Sequence, residues 1–207
     1  MSAALLIEEW QRIETLSDLV SELRKNNDPK EEQLEQLKAQ QDSVLKARKM
    51  GAWSIATETE LNPMEIDVLA CTLAPDMSPR VAWMYQTLHG RKEDPYPTLH
   101  FIQELLNLAP EDTPEFYKAV NENAPLRKQS LVALADTSPF SVIKPAPSLR
   151  AKILGEGFEP KAPTGTTRIE TQADWDSLIL PESCKKRLRV FLDYIHERPS
   201  IESWGGT

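Results

Sequence analysis

The sequence predicts a mainly α-helical fold: an N-terminal antiparallel helical hairpin, a domain of three short helices closed by a small β-hairpin, and a C-terminal helix. Three observations lead there. Apolar side chains recur at spacings of three and four through most of the first 110 positions, the pattern of helices with one buried face. Helix starts are written as a capping residue followed by proline at Asp28-Pro29, Asn62-Pro63 and Ser78-Pro79, the residue types that satisfy and pre-shape a first turn. β-like text is confined to SLVALAD (130–136) and FSVIK (140–144), separated by a Thr-Ser-Pro turn, as a hairpin requires.

In chain order, residues 3–26 place Leu6, Trp10, Ile13, Leu16, Val20 and Leu23 on one helical stripe, with the last four in an a/d-like spacing. Asn26-Asn27-Asp28-Pro29 turns the chain into a second, more polar helix over about 29–49, with Leu34, Leu37, Val44 and Leu45 at core spacing. These two helices, over 1–52, read either as a structural arm on the next domain or as an element for docking or self-association. The next domain spans 55–154. Its first helix starts at Asn62-Pro63 and turns Ile66, Leu69, Ala70 and Leu73 inward; its second starts at Ser78-Pro79, turns Val81, Met84, Tyr85 and Leu88 inward and ends at Gly90. Thr98 caps the third, which buries Phe101, Ile102, Leu105 and Leu106. Three helices and then a two-stranded wing is the order of a winged-helix-like domain. Residues 155–170 hold Gly155, Gly157, Gly165, Pro160 and Pro163 without apolar periodicity and read as a linker. A last helix runs from about Pro181 to Arg198, with Cys184, Leu188, Phe191 and Ile195 on one face.

Composition narrows the function classes. The chain carries 24 Lys and Arg against 32 Asp and Glu, a net charge of −8, and no long segment is basic. Duplex binders neutralise phosphates with a positive stripe, so the charge weighs against nucleic acid. The third helix offers His100, Gln103, Glu104 and Asn107 with no Lys or Arg, and the wing offers one lysine, Lys144. No apolar run approaches the roughly 20 residues that span a bilayer, and the expectation is a cytoplasmic protein without membrane contact. Cys71 and Cys184 stand far apart without a Cys/His partner pattern and read as half-buried small hydrophobes; no metal site is expected. His89, His100 and His196 lack the serine, cysteine or carboxylate neighbours of a catalytic arrangement. Lys185, Lys186, Arg187 and Arg189 are read as the solvated face of the last helix, with a subunit or nucleotide-proximal contact as the alternative, and Trp175 as a core anchor or interface residue. No glycine falls in a G-x-x-x-x-G-K-[ST] frame, so no ATP hydrolysis is expected of these residues.

The stretches MEIDVLACTLAPDMSPRVAWMYQTLHG, PTLHFIQELL, APLRKQSLVALAD with PFSVIKPAPSLRAKILG, and DWDSLILPESCKKRLRVFLDYI with ESWGGT resemble, in that order, the N-terminal region of a bacterial family of AAA+ ATPases. Its members carry a winged-helix-like domain ahead of the ATPase module and also occur with contractile injection systems. The resemblance covers residues 61–207. It implies that 171–207 opens an ATPase module whose phosphate-binding loop would follow Trp204-Gly205, and that ATP and Mg belong to that module. It also implies that residues 1–207 are non-catalytic, like a fragment of a longer protein.

The expected function is therefore recognition: binding a protein partner or substrate for ATP-driven remodelling by an ATPase core. Trp83, Tyr85, His100, Gln103 and Tyr117 are the candidate contact residues, being aromatic and amide side chains on short helices. A winged-helix DNA-binding regulator and a structural adaptor that oligomerises through the hairpin are the alternatives. The hairpin or the ATPase ring would carry self-association.

Overall fold

Asn62 shows how local chemistry starts this fold. Its Oδ1 accepts the Glu65 backbone N–H at 2.9 Å, and Glu65 Oε2 accepts the Asn62 N–H at 2.8 Å, a reciprocal cap that uses two donors a helix start leaves over. The Ser78 and Thr98 hydroxyls cap the starts of two later helices. The computed structural model describes residues 6–91, 93–154 and 180–191. The chain divides into two units, Met1–Pro160 and Lys161–Thr207.

In the first unit, α1 (Ile7–Arg24) and α2 (Glu31–Lys49) are followed by α3 (Ser54–Glu58), α4 (Pro63–Met77), α5 (Pro79–Leu88) and α6 (Leu99–Leu105). Then come α7 (Thr113–Ala119), α8 (Pro125–Lys128), β1 (Val132–Leu134), β2 (Ile143–Pro145) and α9 (Pro147–Leu154). The helix expected from Pro29 begins at Glu31, because Lys30 is the cap and Gln33 Oε1 accepts its backbone N–H at 3.2 Å. Asn26 adopts a φ of 59° in the turn before it, a left-handed conformation asparagine tolerates. Gly90 ends α5 at a φ of 67°, where a Cβ would be strained.

α1 packs on α2 and also on α4, α5 and α6. Its Trp10, Ile13 and Val20 enter one core with Leu69, Leu73, Val81, Phe101 and Leu105. The two arms of the hairpin share this packing unequally. α2 buries Val44 and leaves Leu34 and Leu45 exposed.

The wing pairs β1 with β2 antiparallel, in the register Val132↔Pro145, Ala133↔Lys144 and Leu134↔Ile143. Leu134 and Ile143 face inward while Ala133 and Lys144 face out, the period of two expected of a half-buried sheet. On the other side of β2, Thr98 bridges to Val142, and Ile143 N–H donates to Pro97 O at 3.0 Å. The strand-like segments thus run in the spatial order 98, 142–145, 132–134, and α6, α7 and α8 lie between the first and the last in the chain. The sequence pattern makes 98–107 the third and final helix before the wing. The structure inserts α7 and α8, each short and opened by proline near its start, too short for helical periodicity to register.

In the second unit a helix runs over 182–191, with Pro181 O accepting the Cys184 N–H at 2.8 Å. Cys184 is exposed, against the half-buried position expected from its type. Leu188 and Phe191 are also exposed. The linker over 155–170, Trp175 and the stretch 192–198 lie outside the described residues.

Candidate functional site: an apolar groove between the hairpin and α6

A mainly apolar depression of about 500 Å³ opens between α1, α2 and α6. Leu16, Leu19, Val20 and Leu23 line it from α1, Pro29, Leu34 and Leu37 from the turn and α2, and His100, Gln103, Glu104 and Asn107 from α6 and its end. Leu19 and Val20 form a buried floor, whereas Leu23 is 53 % and Leu34 49 % exposed. Its volume lies within the range of ordinary binding clefts, and an apolar wall facing a few polar groups is their usual composition.

The α6 wall is chemically uneven. Glu104 is held by Arg24: Arg24 Nε donates to Glu104 Oε1 at 2.8 Å, Nη2 donates to Oε2, and Nη1 donates to the Leu88 carbonyl at the end of α5. The same guanidinium lies 5.9 Å from the centre of the Phe101 ring. The hydrogen bond to Glu104 raises the Arg24 pKa against the opposing effect of burial. Charge on Glu104 is thereby cancelled at the groove. Gln103 Nε2 is buried and has no acceptor among the described residues. His100 is exposed, and its ring centre lies 6.0 Å from that of Phe140 at the wing tip, which is 75 % exposed. His100 N–H donates to Pro139 O at 2.7 Å and Leu99 N–H to Ser141 O at 3.1 Å, which ties the wing tip to the start of α6.

Of the five contact residues expected from the sequence, the groove brings together His100 and Gln103. Trp83 stands apart on α5, 66 % exposed, over a shallow depression with Gln86, Thr87 and Gly90. Tyr117 is half-buried on α7, with its ring edge-on to Phe116 at 5.5 Å. Tyr85 is fully buried, edge-on to Phe101 at 4.9 Å, so its side chain offers no surface to a partner. Its pattern position already places it on the inward face of α5. The hairpin leucines fit a core stripe by spacing; that Leu23 and Leu34 reach solvent is foreshadowed only by how few apolar residues α2 has to cover them.

A second set of charged groups lies towards the other end of the hairpin. Glu9 Oε1 accepts from Arg48 Nε at 2.6 Å and from Trp53 Nε1 at 2.9 Å, and Asp67 Oδ1 accepts from Arg12 Nη2 at 2.7 Å and Arg48 Nη2 at 2.8 Å. Burial works to lower the Arg48 pKa, but the Glu9 hydrogen bond and the fields of Asp67 and Glu9 raise it on balance. These two carboxyl and two guanidinium groups match in number and join α1, α2 and α4. Breaking such a buried set is costly because a charge is left without its partner, and nothing in the sequence pattern singles these residues out.

α6 and α7 follow one another as a helix pair ahead of the wing, and α8 packs on β1. In duplex-binding proteins the second helix of such a pair enters the major groove. Across 111–130 this chain offers Lys118, Arg127 and Lys128 against Glu111, Asp112, Glu115 and Glu122, and Arg127 Nη2 donates to Leu134 O at 3.1 Å. Among the described residues no group of three or more His, Cys, Asp or Glu could hold a metal ion, and no helix is long and apolar enough to cross a membrane.

The profile of the family described as winged helix domain, variant, matches residues 6–150. Comparison with curated proteins and with solved structures finds no match. The matched span takes in α1 to α8 and both strands, and all of these except α2 place buried residues in the core of the first unit. The chain belongs to the winged helix domain, variant, family.

Proposed function

We propose that this winged helix domain is a protein-recognition region, and that the groove between α1, α2 and α6 receives an apolar segment of the partner. The observation that carries the proposal is the pairing of half-exposed Leu23 and Leu34 with the polar α6 wall of His100, Gln103 and the neutralised Glu104. Apolar floors with few fixed charges suit protein segments. The acidic balance over 111–130 supports the same reading, because phosphate contacts dominate duplex affinity.

The resemblance of 61–207 to AAA+ ATPases extends the proposal. The recognised protein would be a substrate or partner of an ATPase core that binds ATP and Mg. A reading frame continuing past the Thr207 codon into G-x-x-x-x-G-K-[ST] supports this extension, and a frame without it removes it.

The recognition proposal is tested by placing a photo-crosslinking amino acid at Leu34 and, as control, at exposed Met50 in cells of the source organism. A discrete protein adduct formed at Leu34, lost on Leu23→Asp and absent at Met50, is expected. Nanomolar binding to duplex DNA that weakens steeply as salt rises, on the order of 10³-fold between 50 and 200 mM as for several phosphate contacts, would overturn it.

A further inference from the structure

The groove is elongated along two helices, and its apolar groups follow helical spacing on both. Along α1 they fall at Leu16, Leu19 or Val20, and Leu23, intervals of three and four; along α2 they fall at Leu34 and Leu37. Two helices lying side by side, with Leu23 and Leu34 exposed at the edges of a trough floored by Leu19 and Val20, present the holes into which a third helix inserts its side chains. On the third side, Gln103 and Asn107 stand one turn apart at α6 and line the same space. Gln103 brings an amide donor that no acceptor among the described residues satisfies.

The charge around the mouth has a sign. Glu104 is cancelled by Arg24, and Glu22 is engaged by Lys25 at 2.9 Å and by Asn27. Asp28, Glu31, Glu32 and Glu35, in the turn and the first turns of α2 beside Pro29 and Leu34, make no ion pair among the described residues. They outnumber Lys30 and Lys38 on the same stretch. A surface with spare carboxylates beside an apolar slot is complementary to apolar side chains flanked by cations.

We infer that the occupant of the groove is an amphipathic α-helix of a partner protein, with Leu-like residues at i, i+3 or i+4 and i+7 and with Lys or Arg on its flanks. The inference rests on the protein-recognition reading above and deepens it by naming the partner's chemistry. Three exposed pairs of ordinary strength multiply to about a tenfold preference for a basic over an acidic flank.

The test uses the full chain and two synthetic helical peptides of about five turns with the same leucine stripe, one flanked by lysines and one by glutamates, titrated by calorimetry at low and at high salt. The lysine peptide is expected to bind about tenfold tighter at low salt, with the gap shrinking at high salt as charges are screened. Glu31→Lys combined with Glu35→Lys is expected to reverse the order, and Leu34→Asp to abolish binding of both while the far-ultraviolet circular dichroism stays unchanged. Equal affinities for the two peptides overturn the basic flank. Failure of both to bind, with the Leu34 photo-adduct still formed, overturns the helical occupant and leaves protein recognition standing; loss of the adduct as well removes both. Light scattering on the free chain closes the remaining route: a dimer dissociated by Leu34→Asp would seat a second copy in the groove and overturn the proposal.

Discussion

The Tyr85 hydroxyl donates to the carbonyl oxygen of Cys71 at 3.3 Å inside the core. Pro75 explains why that carbonyl is available. It lies within α4, four residues after Cys71, and has no N–H to close the helical bond. Tyr85 on α5 supplies the missing donor, and burial pushes its phenol pKa well above the ordinary value, so the proton stays on. Burial likewise pushes the Cys71 thiol up to about 12 and keeps it inert.

Tyr85→Phe is expected to cost about 1–3 kcal/mol in urea denaturation, because it strands a buried acceptor. In a Pro75→Ala background the helix regains its own donor, so the same substitution is expected to cost less than half as much. Equal costs in the two backgrounds would break the link between the two residues.

Glu9→Leu removes one carboxylate from the buried set and leaves Arg12 and Arg48 to share Asp67. The expected loss is about 3–5 kcal/mol, the scale of an uncompensated buried charge. Lys25→Ala, which removes an exposed pair with Glu22, is expected to change stability by less than about 1 kcal/mol. Midpoints of chemical denaturation read both.

His89 sits at the end of α5 with its ring centre 5.6 Å from that of Phe101 and neither ring nitrogen hydrogen-bonded among the described residues. Burial, then Arg91, then Arg24 lower its pKa below the ordinary 6.5, while Asp94 pushes the other way. The folded imidazole therefore stays neutral where the unfolded one takes a proton. This contribution to stability is complete above about pH 6.5 and is lost as pH falls from there through the lowered folded value. His89→Phe is expected to flatten the stability profile between about pH 7 and pH 5, measured by thermal unfolding; an unchanged slope would assign the dependence to other groups.

Val20 and Leu34 separate folding from recognition within one hairpin. Val20 is buried in the core, so Val20→Asp places an unpaired charge there and is expected to prevent cooperative unfolding. Leu34→Asp is expected to alter stability by less than about 0.5 kcal/mol. Differential scanning calorimetry distinguishes the two. A test of self-association through the hairpin therefore needs Leu34, not Val20.

Caps are the most legible layer of the fold: Asn62, Ser78 and Thr98 act where the sequence places them, since capping is local and needs no tertiary partner. The strands fall inside the two stretches with branched residues, save for Pro145 at the end of β2. α7 and α8 are not legible, being set by packing of Phe116 and Leu126 and not by their own periodicity. The groove is half legible. His100, Gln103 and Glu104 stand out as the polar groups of α6, but their partners across the space come from the first two helices, far back in the chain. The buried charges escape notice for a related reason. Glu9, Arg12 and Arg48 look like solvated positions, and only three-helix contact turns them inward.

Among the described residues, side-chain bonds join α2 to other elements only from Gln41 onward: Gln41 to Arg12, Ser43 to Glu8, and Arg48 to Glu9 and Asp67. α1 is held towards both ends, because Arg24 binds Glu104 and the Leu88 carbonyl while Glu9 and Arg12 belong to the buried charges. The two sides of the slot are therefore anchored differently. The α1 side lies between two sets of fixed charges, and Leu34 and Leu37 precede the first bond that fastens α2 to a neighbour.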